Sequence, residues 1–221
     1  MHRTACSRVA WRVVPAVLIG VLVVPAWIAP VGAVAAPGSA LIRGVPSVQQ
    51  EYNLSCEYAA AHAVTLFWGR PVPEQTFLRE VARNPNPHLG FRGDINGLSG
   101  GIDDYGVYAE PLMLVLEHHG FDATVFYGGI GRLEQELARG NPVVVWITVN
   151  RSIDRPVYTE TYAGRTFKLV PGEHAVVLYG YDGYGVYAMD VSTGGYYHTP
   201  WDSFLRRWSY FDQMALVITP R

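Results

Sequence analysis

Cys56 opens an alanine-rich run, Ser-Cys-Glu-Tyr-Ala-Ala-Ala-His, with Gln50 six positions before it. A cysteine in the first turn of a helix is favoured as a nucleophile. Unpaired backbone N–H groups and the positive end of the helix dipole stabilise its thiolate. A thiolate that attacks a carbonyl needs a general acid/base, usually histidine, and a group that orients it. It also benefits from donors aimed at the developing oxyanion. The side-chain N–H of Gln50 and the backbone N–H of Cys56 are candidates for that task, with Gln49 as the rival glutamine.

The histidines sort by position. His62 lies six residues beyond Cys56, about 240° around the same helix, and faces away from it. His118 and His119 end an amphipathic stretch, where histidine suits the negative helix pole. Neither His88 nor His198 has a spacing that recommends it. His174 opens the apolar strand "AVVLYGY", and sixteen residues later Asp190 ends the neighbouring strand "GVYAM". The turn "YDGYG" leaves the hairpin register open. A turn centred on Asp182 sets His174 opposite Asp190. One centred on Tyr184 sets it opposite Gly194 and leaves Asp190 about 13 Å along the strand. A one-residue slip puts the two on opposite faces. In contact, the carboxylate would hold the imidazole and stabilise its charged form.

The compartment follows from the N-terminus. Arg3, Arg8 and Arg12 precede a run from Val13 to Ala36 without charge, and Ala33 and Ala35 give a small-x-small cleavage signal. Residues 1–35 are therefore expected to be a signal peptide cleaved near Ala35. The alternative is an uncleaved anchor, since the run is long enough to cross a bilayer. Either way the remainder is placed outside the cytoplasm, with no stable membrane insertion after cleavage. Of the two cysteines, Cys6 leaves with the signal peptide, so Cys56 has no intramolecular partner. An unpaired cysteine in an oxidising compartment suggests a free reactive thiol or an intermolecular bridge. Removing three of the 17 basic residues leaves 14 against 19 acidic ones, a formal charge of −5, and nothing in this balance suggests nucleic-acid binding.

The elements that must position these groups read as follows. Residues 36–44 are a linker and 45–221 one domain, opening on a short strand in "LIRGVPSVQQ". Helices are expected from Ser55, as N-cap, to Gly69, from Pro73 to Ala82, through "YAEPLMLVLEHHG" and through "GRLEQELARG". Strands are expected at "DATVFY", "NPVVVWITV", "PVYTETY", "RTFKLV", "EHAVVLYGYD", "GVYAMDV" and "QMALVI", with a short helix at "PWDSFLRRW". The pattern is α+β, with N-terminal helices packed on an antiparallel sheet. The loop from Arg83 to Gly106 is long enough to line or cover a site. Its "DINGLSGGIDDY" is not a calcium loop, because the twelfth position is Tyr105 where an EF-hand requires glutamate.

Taken together, Q-x5-C at a helix start, a distant "HAVVLYGYD" and then "MDV" resemble the papain-like cysteine peptidases. More closely they resemble the cysteine peptidase family thirty-nine-like domains, relatives of the bacteriocin-exporter domains that remove double-glycine leader peptides. The resemblance spans about Val45 to Ile218. It implies Cys56 as nucleophile, His174 as base, Asp190 as orienting acid and Gln50 in the oxyanion hole, and it favours the register that faces His174 with Asp190. It implies a peptide or protein substrate and neither metal nor organic cofactor. The family commonly has glycine after the cysteine, where this chain has Glu57. An acid there opposes thiolate formation unless it points to solvent. An acyl or amide transferase of the same fold, or a non-catalytic extracellular binding module, are the alternative functions.

Overall fold

The computed structural model describes residues 37–149 and 156–221. The expected signal peptide, residues 1–35, lies outside the described residues. No helix among the described residues is long and apolar enough to cross a membrane.

A mixed fold of helices and a seven-stranded antiparallel sheet carries the site. In chain order the elements are β1 (Ala40–Leu41), α1 (Cys56–Phe67), α2 (Glu74–Glu80), α3 (Ala109–His118), β2 (Phe121–Tyr127), α4 (Ile130–Ala138) and β3 (Val143–Thr148). There follow β4 (Tyr158–Tyr162), β5 (Arg165–Leu169), β6 (Glu173–Tyr181), β7 (Gly185–Asp190), β8 (Gly195–Pro200), α5 (Trp201–Ser209) and β9 (Met214–Pro220). The strand order is β2-β9-β3-β6-β7-β8, and β1 adds to β6. Strands β4 and β5 form a separate hairpin. Part of the expected linker is thus sheet: Ala40 pairs with Tyr181 and Leu41 with Gly180.

The apolar character of β3 has a direct cause. All six of its residues are buried, because both faces of the sheet are covered. One face packs Val144, Trp146, Ala175 and Val177 with α1 and α3. The other packs Val145, Val176 and Leu178 with Leu133 and Leu137 of α4 and Phe204 and Trp208 of α5. The helices are therefore not all N-terminal to the sheet; α4 and α5 interleave with its strands and close its second face.

Helix α1 can lie close to the sheet because its inward residues are small: Ala59, Ala60, Ala61, Ala63 and Val64 are all fully buried. The loop from Arg83 to Gly106 is anchored by short bridges, Arg83 with Phe91 and Arg92 with Gly106. The Arg92 guanidinium also forks onto Glu160 of β4, at 2.7 Å and 3.0 Å. This loop reaches the head of α1, where Leu54 N–H donates to Ile95 O at 2.9 Å and Asn53 Nδ2 to Asn96 O at 3.1 Å.

Candidate active site

Cys56 is the first residue of α1, so its N–H is among those a helix leaves without an intrahelical acceptor. Ser55 precedes it, but the Ser55 side chain makes no cap bond to the helix. Its Oγ instead accepts the Tyr52 N–H at 3.1 Å, fixing the turn that enters the helix.

The thiol is buried, 5% exposed. Its Sγ accepts the N–H of Ala175, the residue after His174, at 3.4 Å. Strand N–H groups point within the plane of their sheet, and β7 pairs with β6 only as far as Val176, opposite Asp190. The thiol therefore sits at the edge of the sheet, where β7 has ended. Side-chain alternation gives Ala175 the face of α1 and gives His174 and Asp190 the other. The thiol packs with the α1-side core, and its Sγ reaches the start of β6 at Ala175.

His174 is 6% exposed, and its Nε2 is 2.7 Å from Asp190 Oδ1. The register that achieves this is neither of the two simplest ones. Near the turn Tyr181 pairs with Val186 and Gly180 with Tyr187, a pairing that would set His174 and Asp190 on opposite faces if it continued. A bulge between Leu178 and Gly180 shifts the register by one, so that Leu178 meets Ala188 and Val176 meets Asp190. His174 and Asp190 become diagonal neighbours on one face, a separation that long side chains span. The same Oδ1 also accepts Ser192 N–H at 2.9 Å and Ser192 Oγ–H at 2.7 Å. Partial burial pushes the Asp190 carboxyl up, but His174 and the two Ser192 donors outweigh it and hold the group well below the usual carboxylate range.

Gln50 is tied to the same corner, its backbone N–H donating to Val191 O at 2.8 Å. Its side-chain Nε2 donates to Tyr52 O at 2.7 Å and Asn53 O at 2.9 Å, inside the turn leading to Cys56. The neighbouring Gln49 Nε2 reaches Ser192 O at 3.3 Å. Cys56, His174, Asp190 and Gln50 thus converge on one corner, linked through Ala175, Val191 and the turn of Tyr52 and Asn53.

The remaining histidines among the described residues are engaged elsewhere. His62 Nδ1 meets Val72 O at 3.1 Å, His88 pairs with Glu110 at 2.9 Å, and His198 pairs with Asp182 at 3.1 Å. His118 and His119 both pair with Glu80, at 3.2 Å and 2.8 Å. Their ligand-type atoms lie within 4.8 Å of one another and could hold a metal ion at the surface.

Two features of the site differ from the sequence expectation. Glu57 does not point to solvent; it is fully buried, and its Oε1 accepts Val107 N–H at 2.7 Å. Nor is the thiol depressed by the helix terminus. Burial, followed by the charges of Glu57 and Glu173, pushes Cys56 well above the ordinary thiol value, against the lowering effect of the Ala175 N–H. Glu173 escaped notice in the sequence, although an acid directly before a candidate base in a strand must face the side opposite to that base.

Comparisons with known proteins bear on the family and the fold. Residues 42–216 match the Peptidase C39 like family. The chain is 29% identical over 180 residues to the uncharacterized protein YvpB of Bacillus subtilis, covering 76% of this chain and 69% of that one. Its fold is similar to a putative C39-like peptidase from Bacillus anthracis (TM-score 0.73, 24% identity, covering 84% of this chain and 99% of that one). It is also similar to xylellain, a cysteine protease from Xylella fastidiosa (TM-score 0.51, 17% identity, 85% and 87% covered). The fold is that of the papain-like cysteine peptidases, and the chain belongs to the C39-like peptidase family.

Proposed function

We propose that the protein is an exported cysteine peptidase that cleaves peptide bonds through Cys56, His174 and Asp190. The observation that carries this reading is the pairing of buried His174 with half-buried Asp190 at 2.7 Å next to a helix-start thiol that rests on the Ala175 N–H. Family and fold supply the reaction class; the residues supply the roles.

Cys56 Sγ, as thiolate, attacks the scissile carbonyl, and its proton passes to His174. Asp190, held ionised, orients the imidazole and stabilises its charged form. The Cys56 N–H and the Gln50 amide receive the oxyanion, for which Gln50 releases one of its turn carbonyls. Imidazolium then protonates the leaving amine, and water attacks the thioester to release the acid and restore the thiol. A peptide or protein is the substrate, and the signal peptide ending near Ala35 directs export. Incubation of the reduced protein with a diverse peptide library, read by mass spectrometry, tests the reading. Cleavage that stops after alkylation of Cys56 is expected; an intact library sinks it.

One observation favours a second reading, a non-catalytic binding module: the two acids against the thiol. In that case Cys56 stays inert to iodoacetamide below about pH 8.5, whereas a catalytic thiol reacts. An acyl transferase would use the same groups and reveal itself by transfer to an added amine.

A further inference from the structure

The peptidase reading leaves two acids beside the nucleophile without a task. Glu57 Oε2 and Glu173 Oε1 are both sealed from solvent without a hydrogen-bond partner. Glu173 as a whole is half-buried, but this oxygen faces inward. One carboxyl oxygen of Glu57, one of Glu173 and the Cys56 Sγ all lie within 4.8 Å of one another. The loop closes directly over them at Gly106. A Cβ on that residue would fall 2.0 Å from Glu57 Oε1 and 3.3 Å from Glu173 Oε2.

An orphaned oxygen on each of two neighbouring buried carboxyls has a simple resolution. Like charges this close and this dry do not readily both ionise, so a carboxyl of the pair keeps its proton. Among the described residues, the groups that most shift the pair's ionisation include no lysine or arginine. Glu74 of α2 adds negative charge. Tyr58 of α1, and Tyr105 and Tyr108 of the loop and its end, are phenols that burial first, and then the charge of one or both carboxyls, push further from ionising. His174 is the one neighbour in this set able to become positive, and it is directed to Asp190.

We propose that Glu57 and Glu173 share a proton against Cys56, and that this proton gates the nucleophile. While the pair holds it, the thiol faces one negative charge; when the pair loses it, the thiol faces two and ionises less readily. The inference rests on the peptidase reading only for what the thiolate does, not for the pair itself. Burial pushes the Glu57 carboxyl up to about 7, and burial with the charge of Glu57 pushes Glu173 well above its ordinary value. Proton release from the pair and from the thiol are therefore antagonistic, each step raising the other. Each proton that the pair loses therefore moves ionisation of the thiol to higher pH.

Glu57→Gln tests this with little change of shape. Its amide oxygen keeps the Val107 N–H, and its N–H₂ fills the place of Oε2 and donates to Glu173. Thiolate absorbance followed against pH, with Cys56→Ser as the baseline, reads the thiol directly without any substrate. The midpoint is expected to fall by about one pH unit, roughly tenfold in acidity, in Glu57→Gln and again in Glu173→Gln. An unmoved midpoint in folded variants overturns the proposal. Infrared spectra of the unaltered protein provide a measurement independent of the variants. A protonated-carboxyl stretch is expected at pH 6 and should fade above neutrality, and its absence at pH 6 overturns the proposal equally. A peptidase that fails to cleave peptides leaves both readouts intact, so the two readings fail separately.

Discussion

Asp190 and Cys56 sit at opposite electrostatic extremes within one corner. Asp190 is kept ionised by His174 and Ser192, whereas the thiol is kept protonated by burial and two acids. In the proposed reaction His174 joins them, and each substitution should expose a different part of that link. Asp190→Ala should lower kcat by on the order of 10²–10⁴ without altering the amount of titratable thiol, because it misorients the base and spares the nucleophile. Gln50→Ala should cost on the order of 10²–10³ in kcat, as for one oxyanion donor, when both are assayed on one cleaved peptide. At this scale the sequence pointed to candidates and was silent about their environment. The spacing of Gln50, Cys56, His174 and Asp190 was readable, but the inward turn of Glu57 was not. Its direction depends on Val107 N–H, fifty residues away, which no local pattern reveals.

Among the elements, the β6–β7 hairpin and the loop before α3 decide the geometry. The "YDGYG" turn left the register undetermined, and the bulge at Leu178–Gly180 is what brings His174 and Asp190 to one face. A bulge inside a uniformly apolar strand leaves no mark in the residue pattern, since both of its faces are buried. The loop's position was foreseeable from its length, but its contact through Gly106 was not. Gly106 has φ +134° and no room for a Cβ. Gly106→Ala should therefore destabilise the protein by about 1–3 kcal/mol in urea unfolding. It should also shift the thiol titration, because the loop must lift from both carboxyls.

For the whole molecule, the buried carboxyls predict an unusual stability profile. The Glu57 pKa is raised in the folded state, to about 7, against about 4.3 when unfolded. Between those values the folded state binds more protons than the unfolded one, so stability falls as pH rises through the window. The melting temperature should be higher at pH 5.5 than at pH 8, and Glu57→Gln should flatten the difference. Asp190 acts with the opposite sign. Its depressed pKa contributes stability above about pH 4 that is lost as pH falls further, so the profile should turn over in acid. The α+β class and most elements followed from periodicity and turn residues. The strand β8, Gly-Tyr-Tyr-His-Thr-Pro, did not, because it is a largely solvent-facing edge with no apolar alternation to betray it. The closure of the second face by α4 and α5 also escaped, since it depends on strand order and not on any single segment.

The central claim is that Cys56 is the nucleophile, and the sharpest test keeps everything else in place. Cys56→Ala would strip the Ala175 N–H of its acceptor, and a buried unpaired donor costs about 1–3 kcal/mol. Cys56→Ser retains an acceptor of similar size and removes only the thiolate. Hydrolysis of one identified peptide, measured alongside the melting temperature, should show no detectable cleavage by Cys56→Ser and a melting temperature close to that of the parent. A serine variant that cleaves at the parent's rate would contradict the account.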